Sequence, residues 1–347
     1  MATSELHETA RALVADNKGI LAADESSGTI EKRFDSIELE STEENRRAYR
    51  DMLFTTPGLE DFVSGVILYD ETIRQQSSDG TPFAKLLADR GIIPGIKVDT
   101  GAKDLAGAPG EKVTEGLDGL RERLEEYRSL GARFAKWRAV ITIGTGADSS
   151  AIPTAYCIEV NAQALARYAA LCQEQGLVPI VEPEVLMDAD NDIATCYRAT
   201  KRTLHKTFDE LYHQRVDLEG MLLKPNMVIS GKGSPTQASA AEVAEWTIRC
   251  FRETVPAAVP GIVFLSGGQS DEQASENLNA INSLGRQPWV LSFSYGRALQ
   301  APALKAWGGS ADNVEAGQSF LALRARCNSA AVAGRYSADM EELARSS

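Results

Sequence analysis

Short apolar runs rich in strand-forming residues alternate with helical patterns along the chain, and this alternation limits the folds that the chain can adopt. Eight such runs occupy residues 18–24, 62–70, 92–99, 133–141, 177–184, 218–225, 261–268 and 288–296. Eight strands that each lead into a helix are typical of a (β/α)8 TIM barrel, an α/β fold in which parallel strands close on themselves. We therefore predict a barrel in a single domain over residues 1–347.

The helical segments between the runs carry their own boundary signals. Apolar residues recur at three-and-four spacing before Gly176, a residue suited to a helix C-terminus. Ser239 lies three residues before Glu242, which is the spacing of a capping box. The chain is longer than the roughly 250 residues of a typical barrel. We assign the surplus to an N-terminal helix at 1–16, a long loop at 100–120 and a C-terminal helical tail over roughly 334–347.

An open, doubly wound sheet is the main structural alternative to the barrel. Such sheets usually carry fewer strands, and those that bind dinucleotides have a GxGxxG turn after the first strand. The first run of this chain leads instead into AADESSGTIEKR, which lacks that motif. The sequence therefore favours the barrel.

The composition argues against several classes of function. The formal net charge of −13 makes general nucleic-acid binding and attraction to anionic membrane surfaces poor expectations. No apolar run approaches the roughly 18 residues that can span a bilayer, and no signal-peptide pattern is visible. The five cysteines are scattered and form no CxxC pair, so we expect reduced thiols in a cytoplasmic protein.

The histidine content predicts that no metal takes part. The chain has only His7, His205 and His213, all in stretches with helical patterns. The last two are not spaced as in HExxH or any related ligand motif. We expect all three to be surface or helix-packing residues.

Charged side chains gather where the apolar runs end. A single charged strand end is ordinary, but its repetition around a barrel is not, because barrel enzymes place their sites at the carboxyl ends of the strands. Two pairs have i, i+2 spacing, which puts both members on one face of a strand. The candidates are Asp24, Lys97, Lys136, Arg138, Glu182, Glu184 and Lys224, with Ser266 and Gly267 ending the seventh run and Arg297 following the eighth.

The cations among these candidates indicate an anionic substrate. Five lysines and arginines at one end of an acidic chain are expected to form a local positive focus that attracts a phosphorylated molecule. The segment LSGGQS at 265–270 adds backbone N–H groups just before a helix, an arrangement suited to a phosphate. It follows the seventh run, where barrels commonly hold phosphate.

The remaining candidates predict amine chemistry. Lys224 follows three apolar residues, and lysines are almost never buried without a partner. Beside another cation such as Lys136 it would lose its proton more readily, and the free amine could attack a carbonyl to give an iminium. Glu182 or Glu184 could protonate the departing hydroxyl, since two close carboxylates raise the pKa of one of them. Asp24 could take a proton as a carbon–carbon bond breaks.

These residues, in this order, resemble the class I (Schiff-base) fructose-1,6-bisphosphate aldolases over nearly the whole chain. The resemblance is carried by KGILAADESSGTIEKR, FAKWR, PIVEPE, LLKPNMV, FLSGGQS and FSYGRALQAPALKAWGG. It implies a lyase of glycolysis and gluconeogenesis that reversibly cleaves fructose 1,6-bisphosphate to dihydroxyacetone phosphate and glyceraldehyde 3-phosphate. It also implies no metal and no cofactor, a phosphorylated sugar as substrate, and a homotetramer.

The resemblance implies a role for each matching residue. Lys224 would form the Schiff base, Asp24 would be the base for cleavage, and Lys136 would stabilise the intermediates. Glu182 would be the general acid and base for dehydration and hydrolysis, with Glu184 as its partner. The remaining matches would hold substrate: Ser266, Gly267 and Arg297 at the ketose-end phosphate, Lys97 and Arg138 at the aldehyde-end phosphate, and Arg33 and Thr29 nearby.

The C-terminal tail departs from the family pattern. Eukaryotic members end in a tyrosine that assists proton transfer, whereas this chain ends GRYSADMEELARSS. Its Tyr336 matches a position before the tail of those enzymes. We expect truncation after Tyr336 to change turnover only slightly. The alternative is that Glu341 or Glu342 reaches over the barrel mouth as a substitute acid.

Three other functions remain open from the sequence. Another Schiff-base barrel, such as a transaldolase or a deoxyribose-phosphate aldolase, fits the lysine but not two phosphate sites. A pyridoxal-phosphate barrel would also use a lysine and a phosphate site. A non-catalytic scaffold on the same fold is disfavoured, because every acid, base and nucleophile is present.

Overall fold

Eight parallel strands form a closed barrel in the computed structural model, which describes residues 2–146 and 151–342. In chain order the strands are β1 (Gly19–Ala22), β2 (Val63–Leu68), β3 (Ile93–Lys97), β4 (Gly101–Asp104), β5 (Lys112–Glu115), β6 (Phe134–Ile141), β7 (Gly144–Thr145), β8 (Ala151–Ile152), β9 (Val178–Val185), β10 (Leu222–Leu223), β11 (Gly261–Phe264) and β12 (Val290–Tyr295). Around the barrel the order is β1, β12, β11, β10, β9, β6, β3 and β2, which pairs with β1 again. The predicted (β/α)8 barrel is confirmed: each of the eight apolar runs overlaps one of its strands, and only β9 extends past its run, by one residue.

Helices follow the barrel strands and form the outer layer. They are α1 (Ala2–Leu13), α2 (Ser27–Asp35), α3 (Glu43–Phe54), α4 (Asp70–Ile73), α5 (Phe83–Asp89), α6 (Leu120–Ser129), α7 (Ala155–Glu174), α8 (Ile193–His213), α9 (Ala240–Thr254), α10 (Asp271–Ser283), α11 (Arg297–Trp307), α12 (Val314–Val332) and α13 (Asp339–Glu342). The Ser239–Glu242 capping box is present at α9. Gly176 follows α7 with a φ of 69°, the left-handed conformation expected of it.

The segment predicted as a long loop after the third run contains a hairpin. Strands β4 and β5 pair in antiparallel register, with Gly101 opposite Glu115. The turn between them includes Gly107 and Gly110, both with positive φ, which a residue without a Cβ adopts at no steric cost. A second short hairpin joins β7 to β8.

Apolar side chains fill the amino-terminal end of the barrel. The predicted N-terminal helix forms as α1, which ends at Leu13, and it covers this end. The buried cluster contains Ile20, Ala22, Ile67, Phe134, Val178, Ile180, Leu222 and Val263 from the strands, and Leu6, Ala10, Leu13 and Val14 from α1 and its end. Full burial of one large aliphatic or aromatic side chain stabilises a fold by about 1.5–3 kcal/mol. The cluster is therefore a major part of what holds the strands in place.

The sixth barrel strand, β10, is much shorter than the run that predicts it. Leu218–Gly220 forms a turn of 3-10 helix, and only Leu222 and Leu223 pair with the neighbouring strands. The ladder ends because Pro225 has no N–H to donate. The backbone N–H of Lys224 still donates to the carbonyl of Val181, at 2.8 Å. Lys224 therefore lies at the point where the strand opens into the barrel mouth.

All five cysteines are buried and free. Among the described helices, none combines the length and the apolar character needed to cross a membrane.

Candidate active site

A cavity of about 430 Å³ opens at the carboxyl ends of the barrel strands. Every site residue predicted from the sequence lines it: Asp24, Thr29, Arg33, Lys97, Lys136, Arg138, Glu182, Glu184, Lys224, Ser266, Gly267 and Arg297. Alternation along the strands explains the convergence, since residues two apart share a face. On β9, for example, Val178 and Ile180 belong to the apolar cluster while Glu182 and Glu184 reach the cavity.

Lys224 is a buried amine held next to a buried carboxylate. Its side chain is 5% exposed, and its Nζ lies 3.3 Å from Oε1 of Glu182, whose side chain is 4% exposed. The side-chain oxygen of Asn226 accepts a hydrogen bond from the backbone N–H of Val185 at 3.0 Å. This contact joins the segment after β10 to the end of β9. Amine and carboxylate are therefore fixed at a distance suited to proton transfer.

Lys136 links Glu182 to Asp24. Its Nζ lies 2.6 Å from Oδ2 of Asp24 and 3.6 Å from Oε2 of Glu182. Burial alone would raise the pKa of Asp24, but the charges of Lys136 and Lys224 outweigh it and hold that pKa well below the ordinary range. Burial would likewise lower the pKa of Lys136, yet Asp24 and Glu182 raise it above its ordinary value. Asp24 is therefore ionised and Lys136 protonated in this site.

The two glutamates of β9 differ in their surroundings. Oε2 of Glu182 is buried and has no hydrogen-bond partner, so it is free to exchange a proton with a bound molecule. Glu184 forms an ion pair with Arg138. Burial is the largest influence on Glu184 and raises its pKa; Arg138 opposes this rise, and the charge of Glu182 adds to it. Glu184 is thus the carboxyl group of the pair whose pKa is raised, with burial and not the neighbouring carboxylate as the main cause.

The segment after β11 and the start of α11 form a second wall of the cavity. A Cβ at Gly267 would lie 2.9 Å from Oε1 of Glu184, so a side chain there would displace that carboxylate. Gly268 has a φ of 72°, which turns the chain toward α10. Arg297 donates to the carbonyl of Gln269 and lies 3.4 Å from Oδ1 of Asp271. We call residues 265–270, the first turn of α10 and Arg297 the phosphate cradle, after the role that the sequence predicts for this segment.

Lys97 occupies the opposite side of the cavity, close to the hairpin formed by β4 and β5. Its Nζ donates to Oδ1 of Asp99 at 2.6 Å and to the Asp99 carbonyl at 2.7 Å. Asp99 also accepts hydrogen bonds from the backbone N–H groups of Gly101 and Arg138, at 3.1 and 3.3 Å. A single carboxylate thus ties β3, β6 and the hairpin together.

Helix α2, which begins after a short loop at the end of β1, contributes Thr29 and Arg33. Thr29 is exposed, and Arg33 lies 2.5 Å from Oε1 of Glu25. The other oxygen of Glu25 lies 2.8 Å from the buried Arg50, which also donates to the carbonyl of Ala23. Glu25 therefore connects the loop to α3.

The cations of the predicted positive focus line one cavity, but they are not isolated charges. Each cation has a carboxylate partner: Arg33 with Glu25, Lys97 with Asp99, Lys136 with Asp24, Arg138 with Glu184, Lys224 with Glu182, and Arg297 with Asp271. Burial is the reason, since a desolvated charge is costly unless it is paired. The amine of Lys224 likewise has a carboxylate partner, since its Nζ lies 3.3 Å from Oε1 of Glu182.

Sequence reasoning missed several residues of the cavity. Glu25 and Asp99 line it but were not among the candidates. A signal was present, since Glu25 directly follows Asp24 and Asp99 ends the third apolar run. Ser294 on β12 also lines the cavity, and its buried hydroxyl has no hydrogen-bond partner. Nothing in its sequence context distinguishes it from a core serine.

Two other expectations can be compared with the described residues. These residues contain no cluster of three or more histidine, cysteine, aspartate or glutamate side chains able to hold a metal ion. Glu341 is buried against Arg324 of α12 and does not line the cavity. The alternative that Glu341 reaches over the barrel mouth is therefore wrong for this structure. The side chain of Glu342 lies outside the described part.

Comparison with known proteins shows similarity over nearly the whole chain. The model of the family "Glycolytic: Fructose-bisphosphate aldolase class-I" matches residues 5–347. The chain is 61% identical to a probable fructose-bisphosphate aldolase class 1 of Xanthomonas campestris, over 97% of this chain and 99% of that protein. It is 52% identical to the cytosolic fructose-bisphosphate aldolase 4 of Arabidopsis thaliana, over 98% of this chain and 85% of that protein.

A solved structure is similar at the level of the fold and of the sequence. It is a fructose-bisphosphate aldolase from Plasmodium falciparum, crystallised with TRAP and a small-molecule inhibitor. The TM-score is 0.94 and the identity 51%, with 97% of this chain and 96% of that chain covered.

Proposed function

Because the chain belongs to the family of class-I fructose-bisphosphate aldolases, we propose that it reversibly cleaves fructose 1,6-bisphosphate through a Schiff base on Lys224. The products are dihydroxyacetone phosphate and glyceraldehyde 3-phosphate. One observation carries the assignment of residues. The buried amine of Lys224, the carboxylate of Glu182, the ammonium of Lys136 and the carboxylate of Asp24 form one connected series within a single cavity.

The first stage joins substrate and enzyme. The neutral amine of Lys224 attacks the ketone carbon and the new C–N bond forms. A proton then moves from the nitrogen to the former carbonyl oxygen, which gives a neutral carbinolamine with a hydroxyl and a nitrogen lone pair. Glu182 then gives a proton to that hydroxyl, which leaves as water while the nitrogen lone pair closes the iminium. The 3.3 Å separation of Nζ and Oε1 supports Glu182 in this role. Water and the same groups reverse these steps at the end of the cycle.

The second stage breaks the carbon–carbon bond. Asp24 takes the proton from the hydroxyl on the fourth carbon. That oxygen then forms the C=O double bond of an aldehyde as the bond between the third and fourth carbons breaks. The released electron pair moves into the iminium and gives an enamine on Lys224. Lys136 supports this stage, because its ammonium lies between Asp24 and Glu182. Protonation of the enamine carbon then regenerates an iminium that water can hydrolyse.

Two walls of the cavity would hold the two phosphates. The phosphate cradle supplies backbone N–H groups, Ser266 and Arg297 at the ketose end, and a helix N-terminus favours an anion there. Lys97 and Arg138 would bind the other phosphate, with Thr29 and Arg33 as further contacts. Both Lys97 and Arg138 are already paired with carboxylates. To bind the phosphate at the aldehyde end, Lys97 and Arg138 must therefore exchange their carboxylate partners for the phosphate or share themselves between the two.

The test of the proposal is trapping of the intermediate. Purified protein is mixed with dihydroxyacetone phosphate and reduced with borohydride, and the peptides are analysed by mass spectrometry. We expect a stable adduct on the peptide that contains Lys224. An adduct on Lys136 or Lys97 would overturn the assignment, and failure to form triose phosphates from fructose 1,6-bisphosphate would overturn the function.

Two additions to the same experiment separate the alternatives. Activity should survive dialysis against a strong chelator, whereas a loss that zinc restores would indicate metal-dependent chemistry. Protein without a visible absorbance band excludes bound pyridoxal phosphate. Wild-type protein that cleaves no phosphosugar would favour the scaffold.

We further propose a cytoplasmic homotetramer. Its support is family membership and the word "cytosolic" in the name of the Arabidopsis relative. Sedimentation velocity at micromolar concentration would contradict the tetramer if it gave a monomer of 37.5 kDa. Fractionation of the source cells tests the compartment.

A further inference from the structure

Arg324 of α12 is a buried cation behind the phosphate cradle. Arg324 is 2% exposed and does not line the cavity. Its Nη2 donates to the carbonyl of Asp271 at 2.6 Å and to the hydroxyl of Ser275 at 2.7 Å. Its Nε donates to the carbonyl of Ala298 at 3.2 Å. One guanidinium thus joins the first turn of α10 to the first turn of α11.

The charge of Arg324 is balanced by the C-terminal segment. Its Nη1 forms an ion pair with Glu341 of α13, which is itself 9% exposed. The hydroxyl of Tyr336 donates to the same carboxylate at 3.1 Å, and the backbone N–H of Tyr336 donates to the side chain of Asn279 at 2.9 Å. The segment from Tyr336 to Glu341 is therefore attached to α10 and α12 by charge and by hydrogen bonds.

These contacts lead directly to the substrate side of the cradle. Asp271, whose carbonyl accepts from Arg324, faces Arg297 through its carboxylate. Ala298, the other backbone acceptor, is the residue next to Arg297. A displacement of Arg324 would therefore shift both the start of α10 and the backbone that carries Arg297.

We propose that the Arg324–Glu341 pair is a positioning element, by which the docked C-terminal segment sets the affinity of the cradle for the ketose-end phosphate. This inference rests on the proposed function, because it uses the assignment of the cradle to dihydroxyacetone phosphate. Glu341 holds the guanidinium in the orientation that reaches Asp271 and Ala298. Without it, a buried arginine loses its carboxylate and turns toward water, since an unpaired buried charge is costly.

The effect is expected at one end of the substrate only. Glu341→Gln keeps the shape of the side chain and removes its charge. The KM for dihydroxyacetone phosphate in the condensation direction should rise by about 3- to 30-fold, the range typical of residues that act through others. The KM for glyceraldehyde 3-phosphate and the value of kcat should change by less than about 2-fold, because Lys97, Arg138 and the four reacting groups lie on other elements.

The experiment compares both triose phosphates in Glu341→Gln, Tyr336→Phe and the wild type. Asp339→Asn is the matched control, since it removes a carboxylate from an exposed position of the same helix. Half-saturation of borohydride trapping by dihydroxyacetone phosphate gives a second readout that does not need turnover. Tyr336→Phe, which removes one hydroxyl and keeps the ring, should raise the same KM by a smaller factor. It also tests the proposal if Glu341→Gln does not fold.

The outcomes distinguish this inference from the proposed function. A rise confined to dihydroxyacetone phosphate supports the positioning element. Equal changes for both triose phosphates, or a lower melting temperature with both KM values unchanged, would overturn it while leaving the aldolase activity intact. A wild-type protein that forms neither adduct nor product would overturn both.

Discussion

The two ends of the barrel interior are built from the same strands and have opposite character. Toward the amino ends, Ile20, Phe134, Ile180 and Leu222 pack with α1 in a cluster without charge. Two or four residues later on the same faces lie the charged groups of the cavity: Asp24, Lys136, Glu182 and Lys224. The period of a strand makes this possible, because a side chain faces inward at every second position whatever its chemistry.

This difference between the two ends means that the amino-terminal part of each strand serves stability and the carboxyl-terminal part serves catalysis. Close packing at the amino end holds the strands in register, and a cavity left there costs stability. At the carboxyl end, buried charges contribute little net stability, since the cost of desolvation offsets their attraction. Substitutions at the two ends should therefore alter different measurements.

Replacement of Lys224 should give the largest effect. Lys224→Met and Lys224→Arg remove the free amine, and arginine cannot supply one because it stays protonated. We expect turnover to fall by at least about 10⁴-fold, with a melting temperature close to that of the wild type. A coupled assay for triose phosphate and thermal unfolding would measure both. Appreciable activity in Lys224→Arg would contradict the assignment of catalysis to the amine at the carboxyl end of the strand.

Replacement of Glu182 should give the next largest effect on activity. Glu182→Gln keeps the shape but cannot exchange the proton needed for dehydration, and general acid catalysis is worth about 10²–10⁴-fold. Steady-state kcat and the rate of adduct formation with borohydride should both fall by that range. Glu184→Gln is the matched control on the same strand. An equal loss in both variants would show that the two glutamates act as one unit.

Phe134→Ala should produce the converse result at the amino end. Its ring is fully buried and fills the space beside Gly95, where a Cβ would lie 2.3 Å from the ring. Removal should lower the free energy of unfolding by about 3–5 kcal/mol, while kcat per folded molecule stays within about 2-fold because no reacting group is touched. Denaturant unfolding and active-site titration would check this. A large fall in kcat would mean that packing here also positions Lys136.

Glu184→Gln tests the comparison with the smallest effect, a change in how the free energy of unfolding depends on pH. Burial raises the pKa of Glu184 in the folded state, so the folded protein binds this proton more tightly than the unfolded chain does. The stability from this group is full below its unfolded pKa and is lost as the pH rises through the folded value.

The variant, which cannot ionise, should therefore gain stability relative to the wild type as the pH rises through the folded-state pKa of Glu184. Denaturant midpoints at several pH values would measure this gain. A relative loss with rising pH would show that the ion pair with Arg138 outweighs burial.

Residues on a single strand could be predicted, whereas partners on different elements could not. The i, i+2 spacing of Lys136 with Arg138 and of Glu182 with Glu184 requires only the strand period. The pairing of Lys136 with Asp24 depends on side-chain direction and on the register of β6 and β1, which are not neighbours in the barrel. An isolated sequence does not contain that information.

Two elements show that the fold, too, could be predicted from the sequence only in part. Segment 100–120 contains Gly and Pro signals typical of a loop, yet Ala102 to Asp104 pair with Lys112 to Thr114 as a hairpin. Strand β10 is only two residues long because Pro225 ends its ladder, so the apolar run overestimates the strand. Arg324 was not a candidate, since its role depends on three elements that meet only in the folded chain.

The pairing of charges in the cavity has a consequence for how a substrate first meets the protein. Six cations and five carboxylates line the mouth, within a chain of net charge −13. Long-range attraction of a bisphosphate is therefore weak, and the repulsion from the acidic surface is largely screened beyond about 8 Å at physiological ionic strength. Capture of the substrate therefore depends on hydrogen-bond donors inside the cavity, which act only at short range. Added electrolyte should thus leave the encounter rate unchanged or raise it, opposite to enzymes that draw their anionic substrates through a positive field.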